Sequence, residues 1–189
     1  MKDIFKLGGL LLIITVVAAT ALAAIYNVTK PRIDAQKQLA IDNALTEALP
    51  NSPREAIEPV TRDGEVEYYL GYESMQKQDT VGFAYIARGA GYSSVVETMV
   101  GVDTTGKIIG MQVLSQQETP GLGTKIIEVK YGEKEPWFLV QFMGRPADEV
   151  KVDKDGGQIQ SITGATITSR TVANSVVEGY KDLRQIVNN

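Results

Sequence analysis

Nine residues near the C-terminus, Ser161-Ile162-Thr163-Gly164-Ala165-Thr166-Ile167-Thr168-Ser169, place five hydroxyl side chains around a Gly-Ala pair, just ahead of a helical pattern. That arrangement suits a helix N-terminus that receives a phosphate, because free N–H donors and the positive end of the helix dipole face an anion there. A threonine in this position could also be the phosphate's covalent attachment point. The same residues suit an ordinary capped helix start.

A second stretch has the composition of a ligand loop. Gln117-Glu118-Thr119-Pro120-Gly121-Leu122-Gly123-Thr124-Lys125 breaks the surrounding pattern with Pro-Gly-x-Gly. Its glycines permit close backbone approach to a flat ligand, although a surface turn has the same composition. Trp137 could stack on such a ligand or belong to the core. The chain has no His and no Cys in 189 residues. That removes cysteine zinc and iron–sulfur sites, haem ligation by imidazole, disulfides and a Ser-His-Asp triad. Carboxylates alone could still bind a metal, but no EF-hand-like Asp spacing appears, and no metal site is expected. Redox chemistry would need an organic cofactor held by hydroxyls, backbone groups and carboxylates.

The elements that must position these residues read as α+β. Val66, Tyr68 and Leu70 alternate, as do Val81, Phe83, Tyr85 and Ala87, then Val96, Thr98, Val100 and Val102, then Ile109, Met111 and Val113. Asp103-Thr104-Thr105-Gly106-Lys107 reads as a hairpin turn, and short connections favour an antiparallel sheet. A short helix is expected to start over Glu135, Pro136 and Trp137 and to run through Phe142, followed by a turn at 153–157 and a strand over Gln158–Ile162 that delivers the hydroxyl motif. Val172, Val176, Tyr180, Leu183 and Val187 trace one face of a closing helix.

After a leader at 1–6, residues 7–26 form 20 positions without a charge, about 30 Å as a helix and so the thickness of a bilayer core. A retained transmembrane helix is expected; the alternative is a signal peptide cleaved after Ala21-Leu22-Ala23. Basic residues flank both ends, and the leader's Lys2 and Lys6 favour an inside N-terminus. Residues 27–49 form a helical connector, either a stalk or part of the core, stopped by Pro50 and Pro53. Residues 50–189 suffice for one domain. The overall charge is −4, with the acidic excess beyond residue 30, so neither nucleic acid nor an anionic lipid surface is an expected partner of the domain.

Thr163-Gly164-Ala165-Thr166 resembles the flavinylation motif of the FMN-binding domain family. Glu118-Thr119-Pro120-Gly121-Leu122-Gly123 is similar to a second segment of that family, and Gly91-Tyr92 falls where the family usually has Gly-Tyr. The resemblance covers essentially the whole chain. It is nearest the G subunits of Rnf electron-transport complexes, then the C subunits of sodium-translocating NADH:quinone oxidoreductases. It implies FMN joined by a phosphoester to Thr166. Ser161, Thr163, Gly164, Ala165, Thr168 and Lys125 would lie about the phosphate. Gly91, Tyr92, Glu118, Thr119, Gly121, Leu122 and Gly123 would lie about the ring. Gln160 stands where the family often has an acid.

The implied function is an electron relay within a membrane-bound, ion-translocating ferredoxin:NAD oxidoreductase, rather than a complete enzyme. Implied partners are the other membrane, iron–sulfur and flavin subunits, plus a flavin transferase for maturation. The domain would sit outside the cytoplasmic membrane. A quinone-reducing complex, a stand-alone extracytoplasmic carrier, and a membrane-tethered binding or sensor domain without cofactor remain the alternatives.

Overall fold

A computed structural model describes residues 2–187. The chain divides into two compact units, 1–40 and 41–189. The first consists of helix α1 (Lys2–Ala48) up to residue 40, so leader, apolar span and most of the connector form one helix, with Pro31 inside it. This helix is long and apolar enough to cross a membrane, and Leu10, Leu11, Ile14, Val17 and Leu22 are all exposed along it. Thr15 and Thr20 return their hydroxyls to carbonyls four residues back, so both donors are paired within the helix.

The second unit is built on an antiparallel meander: β1 (Ile57–Arg62), β2 (Glu65–Tyr72), β3 (Thr80–Ala90), β4 (Val95–Asp103) and β5 (Ile108–Ser115), hydrogen-bonded in that order. Alternation locates β2 to β5 but not β1. Pro59 lies inside β1, and proline demotes a run to an edge strand; an edge is where β1 lies. The alternation also fails locally in β5. Gly101 pairs with Gly110 but Val102 with Ile108, so Ile109 is bulged and joins the opposite face from Met111 and Val113.

Both faces of the sheet are covered. On one, α3 (Thr166–Val187) packs Val172, Val176 and Leu183 against Tyr85, Ala87, Val96, Val100 and Val102. The Tyr85 hydroxyl donates to the Val176 carbonyl at 2.8 Å, and burial pushes its pKa up. On the other face, Ala44, Leu45, Ala48 and Leu49 pack on Tyr69, Ala84 and Met99. The end of the connector is therefore core, and the compact unit begins at Ile41.

Gly101 and Gly110 make this second contact possible. A Cβ on Gly101 would lie 1.8 Å from the Ala48 carbonyl oxygen, and one on Gly110 would lie 2.1 Å from that of Glu47.

Between β5 and α3 the chain is mostly irregular, with α2 (Trp137–Val140) and 3-10 turns at Gly123–Ile127 and Asp153–Asp155. The strand expected over 158–162 is absent; a single parallel bridge joins Val152 and Ile159. Ile159 and Ser161 are buried and Gln158 and Gln160 exposed, the alternation of a strand, and Ile162 is buried as well. The adjacent N–H groups bond to side chains instead: Gln160 to Gln141 Oε1 (2.7 Å), Ser161 to Asp153 Oδ1 (3.1 Å) and Ile162 to Ser169 Oγ (3.0 Å). These bonds satisfy the backbone without a ladder.

Candidate functional site

Thr166 is the first residue of α3. Ahead of it, Gly164 takes φ +79°, a left-handed conformation that glycine adopts without strain, and the turn closes through Ala165 N–H to Ile162 O at 2.9 Å. The helix's first bond runs from Ser169 N–H to Ala165 O at 3.0 Å. The N–H groups of Thr166, Ile167 and Thr168 precede it and have no helical partner. Among the described residues, the Thr166 hydroxyl makes no hydrogen bond and is half-buried.

This helix start forms one wall of a cleft of about 510 Å³. Gly164, Ala165, Thr166, Ile167 and Thr168 line that wall; Tyr92 and the segment Glu118, Thr119, Leu122 and Gly123 line the others. Segments far apart in sequence thus converge on one site. Tyr92, Leu122 and Ile167 are exposed apolar side chains at this site, and the cleft volume falls within the range of small-molecule sites.

Glu118 ties the segments together. The residue is only 4% exposed. Oε1 accepts from Ser93 N–H (3.0 Å), Ser94 N–H (3.0 Å) and Ser94 Oγ (3.1 Å); Oε2 accepts from Tyr92 N–H (3.1 Å) and Thr168 Oγ1 (2.5 Å). Burial pushes its pKa up, but the hydrogen bonds from Thr168 and from the 92–94 turn outweigh burial and hold it at about 2. Two glycines allow the close fit. A Cβ on Gly91 would lie 2.6 Å from Glu118 Oε1, and one on Gly123 would lie 2.7 Å from Glu118 Cβ and 2.8 Å from Thr168 Oγ1.

Other expected residues stand back from the cleft. Ser161 is buried and gives both its N–H and its hydroxyl to Asp153 Oδ1. The hydrogen bonds from Ser161 hold the Asp153 carboxyl below its ordinary range. Thr163 is exposed. Gly91 lies behind Glu118, with its N–H on Ser94 O at 2.7 Å. Gly121, at φ +73°, has open space where a side chain would be and donates to Thr124 Oγ1 at 3.0 Å. Lys125 sits in the following 3-10 turn, outside the lining. Trp137 also lies outside, with Lys130 Nζ 4.1 Å from its ring centre.

Sequence reasoning missed Ile167, Ser93 and Ser94. Ile167 could have been found as the first-turn neighbour of Thr166. Ser93 and Ser94 carry no signal until Glu118 is seen to fill their turn.

The cleft can hold FMN: it offers a free hydroxyl and unpaired N–H groups at a helix start for the phosphate, with apolar side chains alongside for the ring. Residues 91–181 match the FMN-binding domain, and residues 1–48 match the RnfG N-terminal region. The chain is 33% identical to the G subunit of the ion-translocating oxidoreductase complex of Vibrio atlanticus, over 98% of this chain and 93% of that protein. It is 31% identical to the G subunit of the proton-translocating ferredoxin:NAD(+) oxidoreductase complex of Clostridium ljungdahlii, over 96% and 92%. It is also 31% identical to the G subunit of the ion-translocating oxidoreductase complex of Methanosarcina acetivorans, over 93% and 92%. With its N-terminal apolar helix and its FMN-binding domain, the chain belongs to the single-pass membrane family of G subunits of Rnf-type ion-translocating oxidoreductase complexes.

Proposed function

We propose that this protein is a covalently flavinylated electron relay in an Rnf-type ferredoxin:NAD oxidoreductase, with FMN joined through a phosphoester to Thr166 Oγ1. The observation that carries the reading is the position of Thr166: an unbonded, half-buried hydroxyl at a helix start, facing a cleft whose other wall is the Glu118–Gly123 segment. Thr168 is a poor acceptor by comparison, being 1% exposed and bonded to Glu118. The ferredoxin and NAD assignment is supported by the name of the Clostridium ljungdahlii relative.

When bound, FMN supplies the one- and two-electron steps that no side chain here supplies. The chain's own groups bind and orient. The N–H groups of Thr166, Ile167 and Thr168 would receive phosphate oxygens, favoured by the helix dipole. Tyr92, Leu122 and Ile167 would cover apolar ring surface and keep water from it. Attachment needs a flavin whose phosphate is activated as an anhydride. As the Thr166 Oγ–P bond forms, the anhydride P–O bond breaks, the hydroxyl loses its proton, and the other half of the anhydride departs. A flavin transferase would carry out that exchange. The remaining membrane, iron–sulfur and flavin subunits of the complex would deliver and remove electrons.

Intact-mass analysis of the chain made with a flavin transferase tests the attachment. The expected result is one FMN adduct in the wild type and none in Thr166→Ala, with Thr168→Ala retaining it. An unmodified wild type refutes covalent attachment, and an adduct that survives Thr166→Ala refutes the site.

The flavin domain would lie on the extracytoplasmic side of the cytoplasmic membrane, a reading supported by the basic leader at Lys2 and Lys6. A cysteine replacing exposed Lys154 should react with an impermeant thiol reagent in intact cells stripped of outer barriers. Reaction only after lysis reverses the orientation.

A further inference from the structure

We propose that Glu118 is a fixed negative charge contributed by the protein to the flavin cleft, a buried carboxylate that makes the bound flavin harder to reduce. The inference rests on the assignment of FMN to this cleft. Three observations support it. Glu118 lines the cleft beside Gly123 and Thr168 while being almost wholly withdrawn from solvent. All five of its hydrogen-bond donors are neutral: three backbone N–H groups of the 92–94 turn and the hydroxyls of Ser94 and Thr168. Among the described residues, no lysine or arginine forms an ion pair with it.

Neutral donors stabilise a carboxylate without cancelling its net charge. The charge therefore stays in the cleft and is held at one place by three chain segments. With the residue only 4% exposed, solvent screens this charge less than it would a surface carboxylate. A fixed negative charge opposes the arrival of another, so electrons reach a flavin in this cleft at a lower potential than they would without Glu118.

A purely mechanical role for Glu118 predicts something different. In Glu118→Gln the amide oxygen can keep the donors now on Oε1, and the Thr168 hydroxyl can turn to accept from the amide nitrogen. Only the Tyr92 N–H loses its acceptor. The substitution thus removes the charge and leaves most of the latch.

Redox titration of the purified, mass-verified flavoprotein reads the difference. Glu118→Gln should shift the midpoint potential to a more positive value. Glu118→Asp, which keeps the charge, should shift it less. Thr168→Val removes one donor from the carboxylate, leaves its charge less offset, and should shift the potential to a more negative value. A Glu118→Gln potential equal to or below that of the wild type overturns the proposal, as does an equal shift in Glu118→Asp. If Glu118→Gln yields no folded flavoprotein, Thr168→Val decides alone, and an unchanged or more positive potential overturns the proposal. A wild type without flavin refutes the site assignment itself. A flavinylated wild type with unmoved variants refutes only the role of Glu118.

Discussion

The two faces of the sheet meet their helices in opposite ways. Under the end of α1, paired glycines Gly101 and Gly110 bring strand backbone against the carbonyls of Glu47 and Ala48. Under α3, full side chains such as Tyr85, Val96 and Val100 stand between helix and sheet. The first contact sets helix backbone on strand backbone, with Leu45 and Leu49 packed on Tyr69, Ala84 and Met99 beside it. The second holds α3 through its middle, and the start of α3 faces a cleft. Backbone-to-backbone packing yields a joint with no slack. Side-chain packing lets a helix be anchored along its length while its free N–H groups serve a ligand.

The sharpest way to break this contrast is Gly101→Val. The new Cβ would fall 1.8 Å from the carbonyl oxygen of Ala48, a fully buried residue. A loss of about 3 kcal/mol or more is expected, read as a large fall in thermal midpoint. Stability within about 0.5 kcal/mol of wild type would mean that the end of α1 is not seated as described.

Acid acts on the cleft side. Because the folded-state pKa of Glu118 is depressed from 4.5 to about 2, its contribution to stability is complete above pH 4.5 and is lost as pH falls through about 2. That contribution is at most about 3 kcal/mol. Denaturant titrations of wild type and Glu118→Gln should therefore differ at pH 6 and converge toward pH 2. A constant difference across that range would place the ionised form elsewhere.

A smaller effect separates the two glycines of the cleft segment. Gly123→Ala meets Glu118 and Thr168 at under 3 Å and should cost about 2 kcal/mol while altering the visible spectrum of the flavin. Gly121→Val meets nothing but must hold φ +73°, a local cost of about 1 kcal/mol with the spectrum preserved. Equal spectral changes would put both glycines against the ring.

Much of this site was legible in the amino-acid sequence because its parts are marked by residue type. Hydroxyls around Gly164-Ala165 announce a helix start, and Pro120-Gly121-Leu122-Gly123 announces a loop. What joins them was not legible. The Glu118–Thr168 bond spans 50 residues, and nothing local to either residue requires the other. Gly121 and Gly123 look alike as letters, yet only the second is crowded. In the fold, alternation located β2 to β5, whereas β1 hid behind Pro59, and the false strand at 158–162 arose from buried Ile159 and Ile162 in a segment where the N–H groups of Gln160, Ser161 and Ile162 bond to side chains. The end of the connector was ambiguous because Ala44, Leu45 and Ala48 give a helical spacing whether or not anything covers them.

The chain order of these elements also sets a sequence in time. The meander is complete at Ser115 and pairs only neighbours in the chain, a topology of short loops that favours early formation. Thr166 arrives later, on the last helix, and its cleft exists only once α3 has docked and Thr168 has reached Glu118. A growing chain that has reached Ser115 carries all five strands and does not yet contain the proposed acceptor Thr166. Loading with flavin would then mark a chain that has finished folding, and the colour of the protein would report its completeness.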